Sequence, residues 1–261
     1  MQTIEIQDFV IRESSVLCPS CLTPFATPLL EKMPDITPET TVEADLHRVL
    51  PDAAIRGALI AICPACIFTS WSSAFGMHFF VPELLVPAPQ IEYPKKFAHA
   101  VLTGRKNGAH PLDRAMLALN GCWCARETYI GATQEQLAGY QAENERWLTL
   151  ASQEMETALN DTSWNGNRAR YSYLQGEILR QLGDFHGAVR YFDMVNRDCL
   201  LPVELVRHQR TLAVEGNPVP IVLPPHLVEQ IFLPKPLIMP TPQGQSQNTP
   251  AKLVQTSNYA S

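Results

Sequence analysis

Two copies of one short cysteine turn, "CPSC" at residues 18–21 and "CPAC" at residues 63–66, limit the folds open to this chain. A C-x2-C turn presents two thiolates to one tetrahedral ion, and its backbone amides can donate to the sulfurs. Two such turns complete a four-thiolate shell. Each has Pro after its first cysteine, and each follows an extended apolar lead-in, "SSVL" before Cys18 and "ALIAI" before Cys63. Phe25 and Phe68 come shortly after the knuckles, where they can pack beside the metal. The pattern predicts a zinc ribbon: two hairpin knuckles clamped on one structural Zn2+ by Cys18, Cys21, Cys63 and Cys66.

The gap between the knuckles exceeds the roughly 15–20 residues common between such turns. Residues 26–57, rich in Pro, Thr and acidic side chains, therefore read as an insertion that loops out. Two other readings compete, unrelated buried thiols and a thioredoxin-like redox pair. The redox pair needs a C-x-x-C at the start of a helix in a βαβ unit, whereas both turns here follow strand-like runs. Cys122 and Cys124 flank Trp123. Positions i and i+2 of a helix point about 200° apart, so the two read as small core residues. Cys199 is a lone thiol near a helix end and is given no role.

The 261 residues carry a formal net charge of −6. Affinity for nucleic acid comes mostly from Lys and Arg, and near the knuckles there are only Arg12, Lys32, Arg48 and Arg56. A nucleic-acid-binding ribbon is disfavoured on that ground. The N-terminal "MQTIEIQDFVIRESS" has no basic region followed by an apolar one, so it does not read as a signal peptide. The longest apolar run, "ALIAICPACIF" at residues 58–68, is too short to span a bilayer and contains Pro64. The expectation is a cytoplasmic protein without a membrane partner, where paired cysteines more often hold metal than form disulfides.

From about Pro111 the apolar period becomes helical. Leu112, Ala115, Met116, Leu119, Cys122 and Trp123 fall on one face, and Trp147, Leu148, Ala151, Met155, Ala158 and Leu159 repeat the pattern on a second helix. "DTSWNGN" at residues 161–167 breaks the chain with turn formers. Residues 168–195 then predict a tight helical hairpin, 168–181 against 185–197. "LGDF" makes the turn, Gly183 takes positive φ, and Gly176 and Ala188 let the helices approach with Phe192 filling the space one turn later. The stretch resembles a tetratricopeptide repeat, although Ser172 and Leu179 stand where that repeat usually has aromatics. Helices at 94–104 and 202–214 would complete the stack. From about Asn217 the chain is rich in Pro, and its end is polar. That predicts a largely extended or disordered tail, with the apolar segment 226–239 docking back on the helices, as a removable pseudo-ligand in their peptide groove, or else serving as a short partner-binding segment.

The fold class expected is thus α+β: a β zinc-ribbon-like module over residues 1–92, a TPR-like helical domain over 93–215, and a tail over 216–261. The order of parts, with the "EADLH" stretch at 43–47 before "CPACIF", resembles the bacterial domain-of-unknown-function 2225 family over about residues 10–200. That resemblance implies a zinc-ribbon-like module fused to helical repeats and leaves the biochemical role open. The family usually has Gly shortly after the last knuckle cysteine, where this chain has Ile67 and Phe68.

No H-E-x-x-H, G-x-S-x-G, Walker or G-x-G-x-x-G motif occurs. Asp45 and His47 could meet a metal or a substrate if "EADLH" is a strand, since i and i+2 share a face. The plainer reading is a solvated acidic edge with one surface histidine. With four thiolates closing the zinc shell, the expectation is a non-enzymatic scaffold that binds a protein or peptide through its helices. Arg114, Asn120, Arg170, Tyr173 and Gln175 lie off the core stripe and are the candidate contacts. An enzyme with a site near Asp45 and His47 is the alternative.

Overall fold

The computed structural model describes residues 3–77, 81–130, 133–195 and 200–233. It is an α+β fold, antiparallel strands first and helices after, with no barrel among the described residues. Strand β2 (Phe9–Leu17) is the centre of the first sheet. It pairs antiparallel with β1 (Thr3–Ile6), with β3 (Pro24–Lys32) and, at its end, with β6 (Gly76–Met77). Strands β4 (Ile60–Ile62) and β5 (Thr69–Trp71) form a separate hairpin. Phe9 and Ile11 alternate inward from β2 and pack on Leu50, Ile55 and Ala58. The segment expected to loop out is mostly built in. Its start is β3, its end is helix α1 (Ala53–Gly57), and Val42 and Ala44 between them are buried among helices.

The helices that follow are α2 (Tyr93–Lys106), α3 (Pro111–Thr128), α4 (Gln134–Asn160), α5 (Arg168–Gln181), α6 (Phe185–Asp193), α7 (Val203–Val214) and α8 (Pro225–Phe232). From α2 to α7 each packs on the next in sequence. Among the described residues no helix is long and apolar enough to cross a membrane.

The turn between α5 and α6 forms as its sequence dictates. Gly183 has φ +81°, Asp184 N donates to Leu179 O, and Gly183 N donates to Arg180 O. This double closure satisfies two carbonyls at the end of α5. Asp184 then caps α6 by accepting from Gly187 N at 2.9 Å. A Cβ on Gly176 would stand 2.8 Å from the Phe192 ring, so the glycine sets the spacing of the two helices. Ala188 is buried at the crossing. Helix α6 ends at Asp193, and positions 196, 197 and Cys199 lie outside the described residues.

Two boundaries drawn from composition are not breaks in packing. Ala53 and Ile60 of the strand module share one core with α2, α3 and α4, including Phe97, Trp123 and Trp147. Nor is the stretch after Asn217 simply an extended tail. Pro225 starts a helix at a position where a missing N–H is harmless. Leu223, Leu227 and Val228 are buried with Val42, Ala44, Tyr173 and Leu205. Leu223 N donates to Val42 O at 2.7 Å, and buried Arg180 donates to Asn217 O and Val219 O. The apolar segment docks as far as it is described; residues 234–261 lie outside. Because this part fills the core, it is no detachable occupant of a groove.

A chain ending at residue 215 loses these three buried side chains, each contributing about 1.5–3 kcal/mol. Its thermal melt is expected to fall far below that of a chain ending at residue 233. Coincident melts of the two would show that α8 is not structural.

Candidate metal centre

Each cysteine turn links two strands: residues 18–23 join β2 to β3, and residues 63–68 join β4 to β5. The two turns share one hydrogen-bond pattern. Cys18 N donates to Thr23 O at 3.0 Å and Cys63 N to Phe68 O at 2.9 Å; Leu22 N donates to Cys18 O at 2.9 Å and Ile67 N to Cys63 O at 3.0 Å. To close this pattern the residue after the second cysteine enters the left-handed region, Leu22 at φ +60° and Ile67 at φ +59°. A β-branched residue there is a real outlier, and the strain is of the order of 1–3 kcal/mol. Ile67 is one of the residues standing where glycine would relieve it.

The strands bring the two turns face to face. Cys18 Sγ lies 3.6 Å from Cys66 Sγ and Cys21 Sγ 3.6 Å from Cys63 Sγ, and all four sulfurs lie within 4.8 Å of one another. Ligands about 2.3 Å from a tetrahedral ion stand about 3.8 Å apart, so the donor set fits one such ion. Cys18 and Cys63 are buried and Cys21 and Cys66 exposed. Burial pushes the Cys63 thiol up to about 12 and raises Cys18, whereas the Thr23 hydroxyl and backbone bring Cys21 down to about 6. Beneath the cluster Phe75 meets Phe25 at 5.6 Å and Phe68 at 5.7 Å, edge to face. Phe25 and Phe68 are where the sequence put them; Phe75 joins only because the chain folds back. Cys122 and Cys124 are buried core thiols, as their spacing implied.

A second cluster overturns the reading of "EADLH" as a solvated edge. Val42 and Arg48 bridge to close a hairpin-like loop, with Leu46 at φ +64°, and its polar residues turn into the helical layer. Asp45 and His47 are each 1 % exposed. His47 Nδ1 meets Glu43 Oε2 at 2.9 Å, Nε2 meets Glu127 Oε1 at 3.0 Å, and the ring stacks on Trp123. Both ring nitrogens thus face carboxylates. Arg56 donates to both Glu127 oxygens, to Asn120 Oδ1 and to Arg48 O. Asp45 accepts from Trp123 Nε1 at 3.1 Å and Arg126 Nη1 at 3.0 Å, and Arg126 also reaches Glu43. Despite burial, Arg126 and His47 hold Asp45 below the usual carboxylate range, and His47 and Arg56 do the same for Glu127. Glu43, Asp45 and His47 are close enough to share an ion, but the Arg126 guanidinium already bonds both carboxylates.

The five candidate contact residues do not form one surface. Asn120, Tyr173 and Gln175 are buried and bond internally, to Arg56, Ala44 O and Ser152 respectively. Arg114 is half-buried and paired with Glu154 at 2.7 Å; Arg170 is half-buried on α5. The loop at 41–49 lies against α3 and α5 through Trp123 and Tyr173, and α8 shares the core with Tyr173. A weak signal for the network was available: Arg56 interrupts the apolar "AAIRGALIAI", where a charge implies a partner.

Glu127→Ala leaves Arg56 buried without its carboxylate and is expected to cost about 3–5 kcal/mol in denaturant unfolding. The depressed Asp45 and Glu127 bind protons more readily when unfolded, so their contribution is present above their unfolded values and is lost as pH falls through the folded ones. The urea midpoint should therefore be level from about pH 7 to 5 and decline below about pH 4. Ile67→Gly relieves the left-handed strain at the second knuckle and should raise stability by about 1 kcal/mol, measured on metal-loaded protein, whereas Ile67→Val should not.

No family model, no curated protein and no solved structure matches the chain.

Proposed function

We propose that the chain is a non-enzymatic scaffold, stapled by one Zn2+ on Cys18, Cys21, Cys63 and Cys66, that carries a protein or peptide partner. The observation behind this reading is the four-sulfur cluster. Four thiolates saturate a tetrahedral ion and leave no position for water, which makes the metal structural. Bound there, zinc supplies folding free energy and no chemistry. The saturated bonding of Asp45 and His47 favours the same reading, since neither side chain is free to meet a substrate. The α5–α6 hairpin supports a TPR-like character for the helical layer through Gly176, Gly183, Ala188 and Phe192. The similarity to the domain-of-unknown-function 2225 family is likewise a proposal, resting on the two CP-x-C turns and the "LGDF" turn.

With Asn120, Tyr173 and Gln175 buried, the contact surface moves to a groove of about 270 Å³ between the second knuckle and α2. Ile67 and Leu102 are exposed along it, with His99 and Lys106 as polar neighbours. An exposed, strained Ile67 beside a metal ligand is a residue kept at a stability cost, which suits recognition.

Metal analysis of protein purified without chelator should give one zinc per chain. Cys66→Ser should release it and destabilise the strand module. Partner capture from the native host should recover a reproducible protein with the wild type and lose it with Leu102→Asp. Absence of zinc, or turnover in a broad substrate screen, would overturn the reading.

A further inference from the structure

Lys96, in the first turn of α2, is 7 % exposed, and among the described residues it makes no ion pair. Its ammonium donates to Gly57 O at 3.4 Å. Lys95, one residue earlier, is exposed and pairs with Glu92 at 2.7 Å. The chain thus places a matched cation in water and an unmatched one inside, the reverse of what desolvation favours. The burial is constructed. A Cβ on Gly57 would stand 2.3 Å from Tyr93 Cδ1, so glycine at that position lets the Tyr93 ring lie against the end of α1. That ring flanks the ammonium, 5.6 Å from its centroid.

Lys96 lines a cavity of about 140 Å³ between β2, the 87–91 segment and the start of α2. The volume is comparable with the roughly 150 Å³ that holds benzene in an engineered protein core. Ile4, Ile11, Pro28, Pro87 and Pro89 supply an apolar wall. Glu13 of β2 lines the same cavity, on the inward face that carries Ile11, and has no ion pair or hydrogen bond among the described residues. Helix α2 begins here, and its N-cap Glu92 makes no side-chain capping bond. The positive end of the helix and the Lys96 ammonium therefore act together on whatever occupies the space.

An unmatched cation and an unmatched anion share this cavity, and they form no ion pair with each other. A simple anion would satisfy Lys96 and face Glu13 with like charge; a simple amine would do the converse. We propose that the cavity binds a small zwitterion, a free α-amino acid with a short apolar side chain. Its carboxylate lies at Lys96 and the start of α2, its ammonium at Glu13, and its side chain against the prolines. Such a site gives the scaffold a small-molecule input next to the strand module, independent of its partner groove.

The test is titration of the full metal-loaded chain with L-alanine, L-valine and L-proline, followed by calorimetry and amide chemical shifts, with propionate and ethylamine as half-ligands. At least one amino acid should bind at one site per chain and shift resonances of residues around Lys96. Lys96→Met removes a buried charge at similar volume, so the fold is expected to persist, checked by near-ultraviolet dichroism, while affinity drops at least about tenfold. Glu13→Gln should weaken the amino acid and leave propionate unchanged. No binding up to about 10 mM, propionate binding as tightly as the amino acids, or affinity untouched by both variants would each overturn the proposal.

Discussion

The Glu127 carboxylate is the joint on which the rest of the molecule depends. It is buried in α3 and accepts four hydrogen bonds, two from Arg56, one from His47 and one from Leu50 N. The donors lie 71 to 80 residues earlier in the chain, in the loop before α1 and in α1 itself. An uncompensated charge at this depth would be prohibitive, so the loop, α1 and α3 must dock together or not at all. Specificity of docking follows from the same bonds: a slipped register would leave a carboxylate or a guanidinium dry and unmatched.

Around that joint the chain closes on itself from both ends. Tyr173 reaches across from α5 to Ala44 O, and Leu223 pairs with Val42, so the loop at 41–49 is held by helices before and after it. Arg180, fully buried, is matched by Glu177 and by two carbonyls of the 217–219 segment. The strand module and the helical layer therefore share their cores. The sulfur cluster is different in kind. It sits on two hairpin turns with its own small aromatic core, and its local backbone holds strain at Leu22 and Ile67. Ion pairs organise the interior, while the four sulfurs gather at the turns that end the strands.

The readable parts of the sequence were those whose physics is local. A CP-x-C turn needs only a few adjacent residues to place two sulfurs, and "LGDF" needs one glycine with positive φ and one aspartate at a helix start. The helices around 112–123 and 147–159 followed from apolar period, and those at 94–104 and 202–214 from the need to complete a stack; the start of α4 at Gln134 did not. Misreadings arose where a local pattern is ambiguous. "EADLH" looks like a surface edge because three of its five residues are charged or titratable, and nothing nearby shows that Arg56, Arg126 and Glu127 will meet it. Tyr173 and Gln175 lie off the core stripe read from the sequence, yet both are buried, Tyr173 against Phe192 of α6 and Gln175 bonded to Ser152 of α4, because a helix packed on several sides buries more than one face.

The sequence by itself determined the two cysteine turns, the order of strands before helices, the tight hairpin at Gly183 and the starting point of most helices, because each is set by interactions within a few residues. The meeting of the four sulfurs and the docking of the segment around Leu227 were expected from the sequence; only the tertiary structure decided how they are seated, that the acidic loop is interior, and that Lys96 and Glu13 line one cavity. Those outcomes rest on contacts between residues dozens to more than a hundred positions apart. What settles them is the balance of desolvation against pairing across the assembled interior, which no local pattern encodes.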